Sequence, residues 1–199
     1  ENQSLFERGL FTVQSKGREG IIDHYGKWII TLNDQHINFI SSQFFSVQIE
    51  NYSYLYHLDG SRIPHQPYDD VVYEVEAPMF KVKRDQKIGY VGHDGIEIIP
   101  VIYDQTFFFA DRQIAEMTLG KEDGQKTTLL YDTLGHLLLS TTYDDLYPLN
   151  DPFGYYSASL NHKQSIIDLR RNIILPPIYN RVWGFADTTF YCVTDESRR

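Results

Sequence analysis

The sequence predicts an all-β chain of tandem antiparallel meanders, and three observations carry that expectation. A turn ending in glycine is followed eight residues later by Tyr-Asp, at Gly60 to Tyr68-Asp69, Gly95 to Tyr103-Asp104 and Gly135 to Tyr143-Asp144. The turns recur at intervals of 34, 35, 40 and 36 residues from Gly26 to Arg171, the length of one supersecondary unit per repeat. The segments between turns are short and rich in β-branched and aromatic residues, too short for a capped helix.

Taken in order, residues 5–13 read as the tail of a partial unit, followed by units at 14–50, 51–84, 85–124, 125–162 and 163–199. The first is the weakest copy: Gly26 to Asp34 keeps the offset but loses the tyrosine. Three strands per unit are expected, clearest at 127–131, 137–139 and 155–160, and again at 165–168, 173–175 and 190–193. Asp59-Gly60 and Asp94-Gly95 join the first two strands, because glycine takes the positive φ that a tight hairpin requires. Pro100 and Pro176, five residues past the turn, mark the expected end of the second strand, where the ladder no longer needs an N–H.

Beyond the proline, Asp69, Asp104 and Asp144 are expected to accept hydrogen bonds from the amides of their own Tyr-Asp turns. Asn180 follows Tyr179 in the last copy. Phe109 and Phe185, each six residues after the tyrosine, are expected to close the loop over the core. The 40-residue interval is ascribed to extra residues at 147–154. A three-stranded unit cannot bury its apolar face alone, so units stack into one domain over residues 1–199, a curved or elongated array. A closed propeller-like ring is the alternative, disfavoured because its blades usually have four strands and about 40–45 residues.

Composition narrows the function classes. The net charge of −9 excludes a broad phosphate-binding face, so nucleic acid is not an expected partner. No apolar run approaches the ~18 residues of a membrane span, and no insertion is expected. A single cysteine, Cys192, excludes an internal disulfide; this suits a reducing compartment and equally a bacterial periplasm. The start at Glu1 suggests a processed or trimmed chain, and periplasm or cell envelope is expected ahead of cytoplasm.

Lys87-Ile-Gly-Tyr-Val-Gly-His-Asp-Gly-Ile-Glu-Ile-Ile-Pro-Val-Ile-Tyr-Asp104 resembles the WG (KWG) repeat of bacterial proteins. A unit of that family reads roughly Lys-Trp-Gly-Tyr-Ile-Asp, a short turn with glycine, Ile-Ile-Pro and Tyr-Asp. Gly20-Ile-Ile-Asp23, Ile166-Ile-Asp168, Leu175-Pro176 and the Tyr-Asp pairs fit the same frame. The tryptophan that names the family is replaced around Glu19, Ile88 and Thr127, and Trp183-Gly184 falls after Tyr179, outside the motif. The family shares repetition and no chemistry, so the resemblance implies a binding or structural role.

No constellation reads as an active site. The seven histidines show no metal-ligand spacing, and His24 and His93 share a turn position where a solvent-exposed residue is expected. His57 and His65 flank one hairpin without a carboxylate or cysteine to complete a site. Asp69-Asp70 and Asp144-Asp145 recur with the repeat, which fits turn geometry better than a catalytic pair needed once. Cys192 reads as a small core residue. No catalytic residue, metal or cofactor is expected.

Aromatic residues remain. Tyr52, Tyr54 and Tyr56 share one face of a strand, and Tyr147, Tyr155 and Tyr156 flank the enlarged loop; with Trp183 they are the candidate binding residues, because such side chains offer large area with few rotors to freeze. The expected function is a non-catalytic protein-binding repeat module whose partner is a basic protein, of the immunity or inhibitor type. Glycan binding at the envelope is the alternative.

Overall fold

A computed structural model describes residues 9–33, 35–41, 43–64, 67–73, 77–120, 125–149, 154–170, 172–185 and 189–194, with Gly184 and Phe185 described for the backbone alone. The described residues form strands and turns and no helix, as the alternation of the sequence predicts. The chain divides into two compact units, Glu1–Tyr103 and Asp104–Arg199.

In the first unit, β1 (Leu10–Ser15), β2 (Arg18–Asp23) and β3 (Trp28–Asn33) make one sheet, and β4 (His36–Phe39), β5 (Phe44–Ile49) and β6 (Tyr52–His57) a second. The third sheet has four strands: β7 (Asp70–Tyr73), β8 (Phe80–Arg84), β9 (Lys87–Val91) and β10 (Glu97–Tyr103). The second unit holds β11 (Gln105–Phe109), β12 (Ile114–Gly120), β13 (Lys126–Asp132) and β14 (Leu137–Thr141) in one sheet. The next contains β15 (Asp145–Pro148), β16 (Tyr156–Leu160), β17 (Lys163–Ile167) and β18 (Ile173–Tyr179), and β19 (Arg181–Phe185) pairs with β20 (Thr189–Val193). Every sheet is an antiparallel meander in chain order.

Three sheets thus carry four strands where three were expected, which is the strand count of a propeller blade. The extra strand is the segment after Tyr-Asp: each sequence repeat supplies the last two strands of one sheet and the first two of the next. The tyrosine ends a sheet and the aspartate opens its successor. Tyr68 and Tyr103 are buried there, Tyr143 and Tyr179 half-buried. In the second sheet the closing strand is reduced to the bridges Ser53↔Tyr68 and Tyr56↔Arg62.

The aspartates reach beyond their own turns. Asp69 accepts from the Asp85 amide at 2.8 Å, Asp104 from Gly120 at 2.7 Å and Asp144 from Asn161 at 2.8 Å. Each carboxylate therefore reaches across its sheet to the end of the second strand. There the tight hairpins Asp85-Gln86 and Asn161-His162 place two consecutive residues at positive φ and direct amides outward. The glycines act as expected in the other hairpin of each repeat: Gly60, Gly95 and Gly135 have φ of 86, 82 and 83°. At Asp23, Asp132 and Asp168 a carboxylate at the head of that loop accepts from the amides two and four residues on, at 2.8–2.9 Å.

Neither proline ends its strand. β10 and β18 run through Pro100 and Pro176 to Tyr103 and Tyr179, because both lie on sheet edges and the ladder bulges around them. A bulge crowds the facing residue. A Cβ on Gly89 would sit 2.6 Å from the Ile99 carbonyl oxygen and 2.7 Å from that of Pro100. At the same place Gly20 faces the Ile30 carbonyl, and Ser165 donates its hydroxyl to the Leu175 carbonyl at 2.8 Å. Where Leu129 stands there instead, it pairs with Ser140 in unbroken register from Thr128 to Leu130 and β14 ends at Thr141. The long interval between Gly95 and Gly135 contains the connection between β12 and β13, residues 121–125, where equivalent hairpins have two residues; residues 147–154 lie outside that interval.

Apolar residues fill the space between consecutive sheets within each unit. Ile21, Ile37 and Phe45 are buried between the first two sheets, Phe44, Leu55, Tyr68 and Phe80 between the second and third. In the second unit Leu130, Leu139, Leu146 and Tyr156 form the equivalent core, with the partly buried Phe109 packed against it. Full burial of one such side chain is worth about 1.5–3 kcal/mol. Polar ties cross the same gaps: Glu19 accepts from the Ile37 amide at 2.8 Å, and Gln164, at the same register, from the Val182 amide at 2.6 Å. Phe185's side chain, His65, Asp34 and Arg171 lie outside the described residues.

Candidate functional site

Three of the strands that open a sheet share one burial pattern. In β4, β7 and β15 the order is exposed, buried, exposed, half-buried, so a single residue points inward: Ile37, Val71 and Leu146. The residue after it faces out, four positions past the tyrosine of Tyr-Asp. That position holds Asn38 and Val72 in the first unit, and in the second Phe107, Tyr147 and Trp183, which are 60%, 63% and 44% exposed. Exposed rings at one register of the opening strands of three successive sheets are a surface feature that core packing does not require.

Two of these rings line a groove of about 270 Å³ within the second unit, with Phe109, Glu116, Lys126, Thr128, Asp144, Asp145 and Leu146. β11 supplies Phe107 and Phe109, whose rings meet edge-on at 4.9 Å. Glu116 is the cross-strand partner of Phe107, which sets its carboxylate beside the ring. β15 supplies Asp145 and Tyr147. Lys126 Nζ lies 3.5 Å from Asp145 Oδ1, and Asp144 is engaged with the Asn161 amide. Burial pushes the Glu116 carboxyl above the usual carboxylate range; Lys126 opposes the shift and Asp145 adds to it. Among the described residues no hydrogen bond reaches that carboxylate.

The other candidates are dispersed. Tyr52 is exposed at a polar hollow of about 450 Å³ with Pro67, Asp69, Arg84 and Asp85. Two of the charged groups there are already engaged: Asp69 with the Asp85 amide, and Arg84 with Glu97 at 3.3 Å. Tyr68 beneath Arg84 is pushed up to about 12, by burial first and by Glu97. Tyr54 is half-buried under the Arg62 guanidinium at 4.1 Å, and Tyr56 stacks on the buried Phe45 at 5.4 Å, so only Tyr52 of this ladder presents a free face. Tyr155 is half-buried against Phe190, at 6.0 Å. Tyr156 is 0% exposed and belongs to the core, because it alternates inward on β16 with Ala158. Trp183 lies nearly parallel to its cross-strand neighbour Tyr191, 14° apart at 6.0 Å.

Two further expectations are corrected. His24 is exposed, but His93 folds onto Phe44 and Phe80 at 4.7 and 5.3 Å, and its Nε2 is buried without a hydrogen-bond partner among the described residues. Burial pushes this imidazole below its usual value, with His57 adding and Asp94 opposing. Cys192 is exposed, because it stands on the outer strand of a two-stranded sheet. Among the described residues no group of three His, Cys, Asp or Glu is placed to hold a metal. Phe107 and Glu116 escaped the sequence reading; the signal for Phe107 was available as an aromatic four residues after Tyr103, matching Tyr143 to Tyr147 and Tyr179 to Trp183.

No family model matches the chain, and no curated protein matches it in sequence. Among solved structures it is similar to Hsv2p of Kluyveromyces lactis, at 12% identity over 81% of this chain and 58% of that one, with a TM-score of 0.37. It is similar to a eukaryotic initiation factor at 9% identity over 87% and 64%, with a TM-score of 0.43. The WD40 domain of SCAP from fission yeast gives 11% identity over 86% and 51%, with a TM-score of 0.30. The chain spans less than two thirds of each of these structures, and at this level of likeness none of them bears on what it binds.

Proposed function

We propose that the chain is a non-catalytic protein-binding module that holds a basic protein, and that it is a degenerate WG repeat chain of the immunity or inhibitor type. The observation that carries this reading is the groove of the second unit, where exposed Phe107 and Tyr147 stand beside three carboxylates on a chain of net charge −9. Aromatic rings provide contact area and the carboxylates select the charge of the partner. The test is affinity capture from source-cell extract with the 199-residue chain and its Phe107→Ala/Tyr147→Ala variant, at low and high salt. A basic protein held by the parent at low salt, released at high salt and not held by the variant is the expected result. Equal retention by both chains, or no basic protein, refutes the reading.

Glycan binding is the second reading, supported by the near-parallel exposed rings of Trp183 and Tyr191 on β19 and β20. Such exposed rings offer apolar surface on which a sugar ring can stack. A glycan array with hits abolished by Trp183→Ala is expected on this reading, and an array without hits removes it.

A further inference from the structure

The groove of the second unit has the size, walls and charge of a slot for one side chain. Its volume of about 270 Å³ lies at the low end for pockets that enclose small-molecule ligands, ~300–1,000 Å³, and is enough for one side chain. Two of its aromatic residues, Phe107 and Tyr147, come from the opening strands of two consecutive sheets and are more than half exposed. Their flat faces suit a planar or cationic group, which the electron-rich face of an aromatic ring attracts.

Charge decides which group. Among the described residues, Glu116, Asp144 and Asp145 share the groove with one cation, Lys126, and that ammonium is paired with Asp145. Asp144 is held by the Asn161 amide. Glu116 is half-buried and accepts no hydrogen bond on its carboxylate among the described residues; burial drives its carboxyl upward, Lys126 offsets this only in part, and Asp145 adds to it. An arriving cation would restore the charge balance that folding leaves open, and a neutral or anionic group would not.

We infer that this slot receives a single lysine or arginine side chain of a protein partner, with the cationic head on Glu116 and its alkyl stem between Phe107 and Tyr147. The inference rests on the protein-binding reading above and names what the groove recognises in that partner. Lys126 is the built-in competitor: it limits the carboxylates available and keeps the slot from attracting any dispersed cation strongly.

The test is an NMR titration of the whole 199-residue chain with acetyl-Gly-Arg-Gly-amide and its Lys and Gln counterparts, the Gln peptide being neutral. The expected result is saturable shifts centred on the amides of Phe107, Glu116 and Tyr147 with the Arg or Lys peptide and none with Gln. Glu116→Gln should weaken binding about tenfold or more, as loss of a charge-assisted contact does. Asp111→Asn, which removes the same charge from an exposed residue outside the groove, should leave binding within about twofold. Equal weakening by both substitutions reduces the effect to net charge and overturns the slot, as do shifts centred elsewhere, binding of Gln as tight as Arg, or no binding. If capture still retains a basic protein through Phe107 and Tyr147 while the peptides fail, the slot is overturned and the protein-binding reading stands; failure of both removes both.

Discussion

Gly89→Ala tests the central structural claim, that the bulge at Pro100 presses its backbone against the facing strand. Glycine in a strand interior ordinarily costs about 0.5–1 kcal/mol relative to alanine, so a substitution without contacts would stabilise. Here the new Cβ would meet the carbonyl oxygens of Ile99 and Pro100 at 2.6 and 2.7 Å, where ordinary contact begins at 3.4 Å. Both obstacles are backbone, and no rotamer change removes them. Overpacking of this kind costs about 1–3 kcal/mol, which outweighs the gain and leaves a net loss of about 1 kcal/mol. For a unit of this size each kcal/mol lowers Tm by roughly 4–8 °C, so a fall of about 4–8 °C is expected. The chain has two tryptophans, Trp28 in the first unit and Trp183 in the second. In a Trp183→Phe background, urea unfolding followed by fluorescence reports on the first unit alone, and the midpoint should fall with the slope unchanged. An unchanged or higher midpoint would refute the crowded bulge and with it the account of why small residues occupy positions 20, 89 and 165.

Asp144→Ala removes the carboxylate that holds the Asn161 amide and should cost the second unit about 1–2 kcal/mol by urea unfolding in a Trp28→Phe background; a loss below about 0.3 kcal/mol would contradict a stabilising role for the motif's aspartate. Glu19 is held below its usual value of 4.5 by the Ile37 amide first, then Gln14 and His36, with burial opposing. A lowered folded pKa adds stability above pH 4.5 that is lost as pH falls through the folded value, so the first unit's midpoint should drop in that window and Glu19→Gln should flatten the drop. His93 has the opposite chemistry and the same sign: a base depressed by burial leaves the unfolded chain binding more protons below its ordinary value of 6.5. The first unit should therefore lose stability from about pH 6.5 downward, and His93→Phe, which keeps a ring against Phe44 and Phe80, should abolish that limb; an unchanged limb would place the titration elsewhere.

The repeats make a definite part of this structure legible from sequence. Gly60, Gly95 and Gly135 marked hairpins because positive φ is a local demand that one residue type meets. The antiparallel meander followed from strand length and spacing. The strand after Tyr-Asp escaped notice because it is four or five residues long and buries at most one side chain, so it carries too little alternation to separate from a turn. The reach of Asp69, Asp104 and Asp144 escaped for a different reason: their partners lie 16 or 17 residues downstream, and the pairing exists only once the first two strands of the next sheet have formed.

The same logic explains why the candidate site was only half visible. Internal repetition exposes positions that every sheet needs, and those are the inward tyrosine, the aspartate and the turn glycine. The outward register on the opening strand is under no such demand, and its cross-strand pairs differ from sheet to sheet: Asn38 with Ser46, Val72 with Lys81, Phe107 with Glu116, Tyr147 with Ser157 and Trp183 with Tyr191. Tyr147 and Trp183 were noticed as large aromatics, whereas Glu116 is one acidic residue among many and gains its meaning from facing Phe107 across the ladder. Of these five pairs only Phe107 with Glu116 sets an exposed ring beside a carboxylate, and it is the pair that opens onto the groove. A repeat register that is fixed for folding leaves recognition to the positions that vary within it.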